Sequence, residues 1–183
     1  LQKGGINAPF FAAFTHGYYK NTPKSISRTL AIINALYWTE ENNSNAFEIV
    51  KTVDDIIKIT NAKKIAAIAT IEGAYSLDKN NAIQLLRQYY DLGIRVLAPT
   101  WNYSNDLGEG ANRVYGDTAG TQSIGGLTAL GKEVISEMNR LGIVVDVSHL
   151  AESTFWDVIN TTKMPIIASH SGIYSLKKHP RNL

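Results

Sequence analysis

The chain has 183 residues, 44% of them hydrophobic, so it can bury one core and does not have the composition of a disordered protein. Its 18 basic and 16 acidic residues give a net charge of +2 without a basic cluster, which argues against nucleic acid as a partner. Cysteine is absent, so disulfides and thiolate metal ligands are excluded. No apolar run reaches the roughly 18 residues that span a bilayer, and we expect a cytoplasmic protein without a transmembrane segment. The composition does not decide whether the protein forms a homodimer, which stays a possibility.

Short apolar runs rich in β-branched residues alternate with stretches of helical period along the chain. Thr22 and Pro23 predict the start of a first helix, and Thr128 and Gly142 predict the two ends of a later one. The apolar positions of the expected helices are Ile26, Leu30, Ile33 and Tyr37, then Ile83, Leu86 and Tyr90, then Leu130, Val134, Met138 and Leu141. Five strands are expected, at residues 9–15, 65–70, 95–100, 143–148 and 165–169.

This alternation predicts an α/β fold with a parallel sheet covered by helices, either closed as a barrel or open and doubly wound. A complete barrel usually needs about 250 residues, so a barrel built from this chain would be incomplete. One long loop, residues 102–125, follows a predicted strand. It therefore lies where barrel enzymes place their substrate loops.

Three predicted strands end on residues that can bind a divalent metal: Glu72, His149 and His170. Carboxyl ends of neighbouring parallel strands lie close together, so two imidazoles and a carboxylate can meet one ion. Such a set suits zinc and leaves a position open for water. Each residue taken singly has a simpler interpretation, as a hydrogen-bonded histidine or a helix-capping glutamate. The coincidence of all three favours a metal site.

Other polar and aromatic residues give weaker patterns. His16 and His179 lie in polar loops and are expected to be solvated. Asp146 is expected to point to the opposite side of its strand from the following histidine and to form buried hydrogen bonds. Arg181 suits a substrate carboxylate, although a solvated basic loop is the alternative. Trp101 either forms a wall of the site or only packs.

Several segments together resemble the membrane dipeptidases, also called renal dipeptidases, which are two-zinc peptidases. The segments are GGINAPFF, IEGAYSL, LRQYYDLGIRVLAPTWN, GLTALGKEVISEMNRLGIVVDVSH and PIIASHS followed by HPRNL. The resemblance implies a (β/α)8 TIM barrel of the metal-dependent hydrolase type. It implies that residues 1–183 form a single segment of the catalytic domain, lacking the first strand and the C-terminal strands.

The resemblance also implies residue roles. Glu72 would bridge two Zn²⁺ ions, and His149 and His170 would complete the second of them. Arg181 would contact the substrate carboxylate. The ligands of the first zinc in this family include an HxD motif, and none of this chain's four histidines is followed two positions later by Asp.

Substrate contacts are implied for the TWN segment, at Trp101 and Asn102, where many family members have His in place of this Trp. The family's late acidic residue would fall beyond Leu183. The expected activity is hydrolysis of dipeptides by a metal-bridging hydroxide, with weak or no activity for this segment alone. Two alternatives stay open: another metal-dependent amide or phosphoester hydrolase on the same barrel, and a non-catalytic fragment or binding protein.

Overall fold

A computed structural model describes residues 1–111 and 125–183. In these ranges the chain alternates between strands and helices. The strands are β1 (Phe10–Phe14), β2 (Phe47–Val50), β3 (Ile65–Glu72), β4 (Val96–Ala98), β5 (Val144–Asp146) and β6 (Ile166–Ile167). The helices are α1 (Pro23–Asn42), α2 (Val53–Asn61), α3 (Ala82–Asp91), α4 (Ala129–Leu141) and α5 (Glu152–Thr161).

All strand pairs are parallel, and the sheet runs in the order β1-β3-β4-β5-β6. The short strand β2 pairs with the first half of β3 and lies off this path. At the carboxyl end of β3, Glu72 stands in register with Phe14 on one side and Ala98 on the other. The register therefore places Glu72 on the edge of the sheet where parallel α/β proteins build their sites.

Helix α4 has the ends that its sequence predicts. The Thr128 hydroxyl accepts a hydrogen bond from the Gly131 amide at 3.0 Å, and Gly142 ends the helix with φ 82°. Because an N-cap oxygen satisfies an otherwise unpaired amide and glycine adopts positive φ without strain, both ends are locally encoded. This helix leads directly into β5, so its ends fix where that strand begins.

The core lies between the sheet and helices α1, α3, α4 and α5. It is built from aliphatic and aromatic side chains that are almost completely buried, including Leu86, Tyr89, Leu97, Ile135, Met138, Val145 and Val158. Burial of each such side chain contributes roughly 1.5–3 kcal/mol. In α1 the predicted stripe is only partly correct, because Ile33 is buried whereas Leu30 is 41% exposed.

Some elements differ from the expectation. The prediction of five strands was wrong, because β2 was missed; it has four residues and Glu48 interrupts its apolar pattern. Strands β5 and β6 are also shorter than expected, ending at Asp146 and Ile167. The Asp146 carboxylate accepts a hydrogen bond from the Ser148 amide and thereby turns the backbone out of the sheet.

Part of the predicted loop at residues 102–125 can be described. Gly108 and Gly110 form isolated antiparallel bridges with Leu127 and Leu150, whereas residues 112–124 lie outside the described residues. Among the helices in the described part of the chain, none is both long and apolar enough to cross a bilayer.

Candidate metal centre

Glu72, His149 and His170 come together at the carboxyl edge of the sheet, at or just after the ends of three different strands. Glu72 is the last residue of β3. The two histidines lie beyond their strands rather than on them, each three residues past the last residue of β5 or β6. His149 adopts φ 73°, a conformation that L side chains rarely take, and the backbone there belongs to a turn.

The facing atoms of these three side chains are close. Glu72 Oε1 lies 3.0 Å from His149 Nε2 and 3.5 Å from His170 Nε2. The two Nε2 atoms are 2.6 Å apart. Ligands that sit about 2.0–2.1 Å from one zinc ion cannot be more than about 4.2 Å from each other, so all three pairs fall inside that limit.

Asn102 orients the His149 ring through a hydrogen bond at Nδ1. Its Nδ1 lies 2.8 Å from Asn102 Oδ1, and the Asn102 residue is 2% exposed. Because an amide oxygen only accepts, Nδ1 carries the proton and Nε2 keeps its lone pair. The Asn102 contact therefore leaves Nε2 of His149, the nitrogen that faces Glu72, free to bind a metal ion.

A second contact orients the His170 ring. Its Nδ1 lies 2.7 Å from the Ser169 hydroxyl, which donates its own proton to Asp146 Oδ2. The hydroxyl can then only accept from Nδ1, which leaves the Nε2 lone pair of His170 facing the site. The predicted buried hydrogen-bonding role of Asp146 is confirmed, and the residue is 6% exposed.

Three atoms that carry a lone pair and no proton thus lie close together, one from each of Glu72, His149 and His170. Two imidazole nitrogens and a carboxylate oxygen form the nitrogen and oxygen donor set that suits Zn²⁺, and their combined negative potential favours a divalent cation. These residues fit a metal ion. The sheet brings these residues together, and the hydrogen bonds at Nδ1 of the two histidines orient their rings.

The protonation states agree with that donor set. The side-chain contact with His149 lowers the pKa of Glu72, which outweighs the opposing effect of burial, so Glu72 is a carboxylate at neutral pH. Burial is the main cause that lowers the pKa of His149, and the positive charge of Arg181 adds to it. His149 is therefore neutral at pH 7, as a metal ligand must be.

Arg181 lies beside this cluster. Its Nη2 is 3.1 Å from His149 Nε2 and 3.4 Å from the His170 carbonyl oxygen. The Ser171 hydroxyl donates to the Arg181 carbonyl at 2.8 Å, which ties the C-terminal segment to the turn after β6. Within the described residues His179 is not among the three clustered side chains, and its Nδ1 accepts from the Arg181 amide at 3.2 Å.

Aromatic side chains form one wall of the site. The Trp101 ring centroid lies 5.8 Å from that of His149 and 5.0 Å from that of His16, and Phe14 and Tyr103 complete the group. His16 is exposed as expected, but its Nδ1 accepts from the Tyr18 amide at 2.9 Å and its ring packs against Trp101. The expectation of a purely solvated His16 was therefore incomplete.

Sequence patterns did not reveal two of the contacts that build this centre, which are made by Ser169 and Asn102. Ser169 was read only as the end of a strand, and the contact between Asn102 and His149 joins positions 47 residues apart. For Ser169 a signal existed, since a hydroxyl residue directly before a candidate ligand can hydrogen-bond its ring. No local pattern could have paired Asn102 with His149.

Comparison with known proteins finds dipeptidases among the relatives of this chain. An uncharacterised dipeptidase of Schizosaccharomyces pombe is 35% identical over 192 residues, covering all of this chain and 45% of the relative. A dipeptidase of Claviceps purpurea is 31% identical over 161 residues, covering 87% of this chain and 36% of the relative. The crystal structure of a metallopeptidase, dipeptidase AC, superposes with a TM-score of 0.88 at 26% identity, covering the whole chain and 55% of that protein.

The chain thus spans about half of that solved structure, and less than half of either dipeptidase sequence. Its α/β fold with a parallel sheet matches the barrel-like fold of such dipeptidase structures. The family profile described as membrane dipeptidase (peptidase family M19) matches residues 1–183. The chain belongs to the membrane dipeptidase family, peptidase family M19.

Proposed function

We propose that this chain carries the zinc-binding part of a dipeptidase that hydrolyses the peptide bond of dipeptides. The observation that carries the proposal is the convergence of Glu72 Oε1, His149 Nε2 and His170 Nε2. Membership of the family and the names of the S. pombe and C. purpurea relatives support the choice of substrate class.

Zinc is the proposed metal because imidazole and carboxylate ligands without thiolate or additional oxygen donors suit it better than calcium or magnesium. Bound there, zinc supplies a Lewis acid that polarises the scissile carbonyl and activates water. We propose two ions in the complete site, with Glu72 shared between them. His149 and His170 would hold one of the two ions.

The residues around the ligands would position the substrate. The Arg181 guanidinium is planar and presents paired N–H donors, so it would hold the free carboxylate of a dipeptide. Its position 3.1 Å from His149 Nε2 would bring that carboxylate next to the scissile bond. A requirement for a free carboxylate so near the reacting carbonyl favours dipeptides over long chains.

Trp101 would form one wall of the substrate site, next to His149. Asn102 was also predicted to contact substrate, and this stays a prediction. Its buried contact with His149 Nδ1 supports a different task, which is to hold the ligand ring. We also propose that residues 1–183 form one segment of a larger (β/α)8 barrel. The 55% coverage of dipeptidase AC supports this.

The experiment replaces Glu72 with Gln in the full-length protein and measures bound zinc and dipeptide turnover. Gln keeps the shape of the side chain but removes the charge, so we expect loss of bound zinc and a fall in kcat/KM of at least about 100-fold. Glu133→Gln is the matched control, because Glu133 is exposed on α4. Undiminished zinc content and turnover in the Glu72 variant would exclude the proposal.

A further inference from the structure

The carboxylate of Asp146 links the two turns that carry the histidines. Asp146 Oδ1 accepts from the Ser148 amide and from the Ser169 amide, both at 3.0 Å. Asp146 Oδ2 accepts from the Ser169 hydroxyl. The first turn leads to His149 and the second to His170, so one buried side chain fixes the two turns relative to each other.

The direction of these hydrogen bonds determines where the protons lie. A carboxylate has no proton to give, so the Ser169 hydroxyl must donate to Asp146. The same hydroxyl is 2.7 Å from His170 Nδ1 and can offer that nitrogen only a lone pair. His170 therefore carries its proton on Nδ1, and Nε2 is left unprotonated, 3.5 Å from Glu72 Oε1 and 2.6 Å from His149 Nε2. Two unprotonated nitrogens so close together repel each other unless a cation lies between them, which is the arrangement that the proposed metal site supplies.

We propose that Asp146 is a positioning residue that sets the tautomer of His170 through the Ser169 hydroxyl, and so keeps the metal-binding nitrogen free of a proton. This inference rests on the metal site proposed above. Asp146 itself touches neither the metal nor the substrate in this scheme. Loss of a hydrogen bond that orients a metal ligand commonly weakens metal affinity by about 10–100-fold.

The substitution Asp146→Asn separates this role from simple packing, because the two side chains have the same shape. The amide oxygen would stay with the amides of Ser148 and Ser169, since an NH₂ group there would face two donors. The NH₂ group must then donate to the Ser169 hydroxyl.

In that variant the Ser169 proton needs a new acceptor. The choices are His170 Nδ1 at 2.7 Å and the Ser148 hydroxyl at 3.3 Å, and the shorter contact is the stronger one. Donation to Nδ1 moves the His170 proton to Nε2, where it points into the site. A protonated Nε2 cannot bind a metal, so the ring must change tautomer before zinc enters.

The experiment is ¹⁵N NMR of the histidine rings in metal-free, full-length protein, together with zinc titration of the same samples. We expect His170 to be protonated on Nδ1 in the wild type and largely on Nε2 in Asp146→Asn, with zinc Kd raised about 10–100-fold. The control is Asp54→Asn, at an exposed position in the first turn of α2, which should leave both readouts unchanged. An unchanged Nδ1–H tautomer in Asp146→Asn would overturn the inference.

Variants of Ser169 keep the test decisive if Asp146→Asn folds poorly. Ser169→Ala removes the hydroxyl and leaves both amide contacts of Asp146, so zinc Kd should rise about tenfold, whereas Ser169→Thr should restore it. In the Ser169→Ala background, adding Asp146→Asn should change zinc Kd little further. An equal loss in both backgrounds would contradict action through Ser169. Failure of wild-type protein to bind zinc would exclude the proposed function, while the tautomer measurement still decides the inference.

Discussion

His149 and His170, 21 positions apart in the chain, bring their Nε2 atoms to within 2.6 Å of each other. Each ring has its Nδ1 engaged by a different partner, Asn102 for the first and Ser169 for the second. Two nitrogen lone pairs therefore face each other beside the Glu72 carboxylate. This relationship is the basis of the proposed metal site, and the predictions below test the residues that create it.

Removal of the hydrogen bond between Asn102 and His149 Nδ1 should weaken zinc binding without unfolding the protein. In Asn102→Ala the Nδ1–H of a buried ring loses its acceptor, so we expect zinc Kd to rise about tenfold. Zinc titration measures this, with Asn80→Ala at an exposed position as the control. Equal zinc Kd in the two variants would show that Asn102 does not hold the ring.

Arg181→Lys should impair the use of dipeptides more than the binding of zinc. Lysine keeps the charge but loses the paired donors, so kcat/KM for a dipeptide should fall about 10–100-fold, mainly through KM. The same variant should discriminate less between a dipeptide and its C-terminal amide. Arg28→Lys, exposed on α1, is the control. A variant that keeps the wild-type preference for the free carboxylate would exclude this role.

Gly110 allows the loop that follows β4 to pass close to itself. A Cβ atom at this position would lie 2.2 Å from the Trp101 carbonyl oxygen and 2.7 Å from the Asn102 carbonyl oxygen. Gly110→Ala should therefore displace the segment that holds His149 and reduce the free energy of unfolding by about 1–3 kcal/mol. Gly4→Ala, where a Cβ meets nothing within 4 Å, should have little effect. Urea denaturation compares the two, and equal stability would contradict the close approach.

Glu137 should make stability depend on pH in the acid range. Its hydrogen bond from Arg140, with a second from Arg87 on α3, lowers the pKa of Glu137 to about 2. In the unfolded chain a glutamate titrates near ~4.3, so this stabilisation is present above that pH and is lost as pH falls towards about 2.

The corresponding variant is Glu137→Gln. Because the two arginines are 54% and 60% exposed, we expect a loss of only about 0.5–1 kcal/mol at pH 7. The difference from wild type should shrink between pH 5 and pH 3 in urea denaturation, and Glu133→Gln should show no such trend. A difference that is constant with pH would contradict the assignment.

Much of the fold could be predicted from the sequence where elements have strong local signals. Helix α4 has a capping threonine and a terminal glycine, and β3 is an apolar run, broken by Thr70, that ends at Glu72. Strand β2 was missed because four residues with a central glutamate do not form a clear pattern. Its place in the sheet comes from pairing with β3, which is tertiary information.

The site was predicted less completely than the fold. The expected direction of Asp146 assumed that strand alternation continues to His149, but β5 ends at Asp146 and His149 has φ 73°. Alternation therefore says nothing about the relative directions of these two side chains. The hydrogen bonds at Nδ1 of the two histidines depend on how separate loop segments pack together in the fold, so their geometry could only be found in the structure.

Anomalous diffraction at the zinc edge, from crystals of the full-length protein grown with Zn²⁺, tests the central claim most directly. We expect a peak about 2.0–2.1 Å from His149 Nε2 and from His170 Nε2, with a Glu72 carboxylate oxygen at a similar distance. A zinc peak elsewhere in the protein, with no density among these three side chains, would contradict the account.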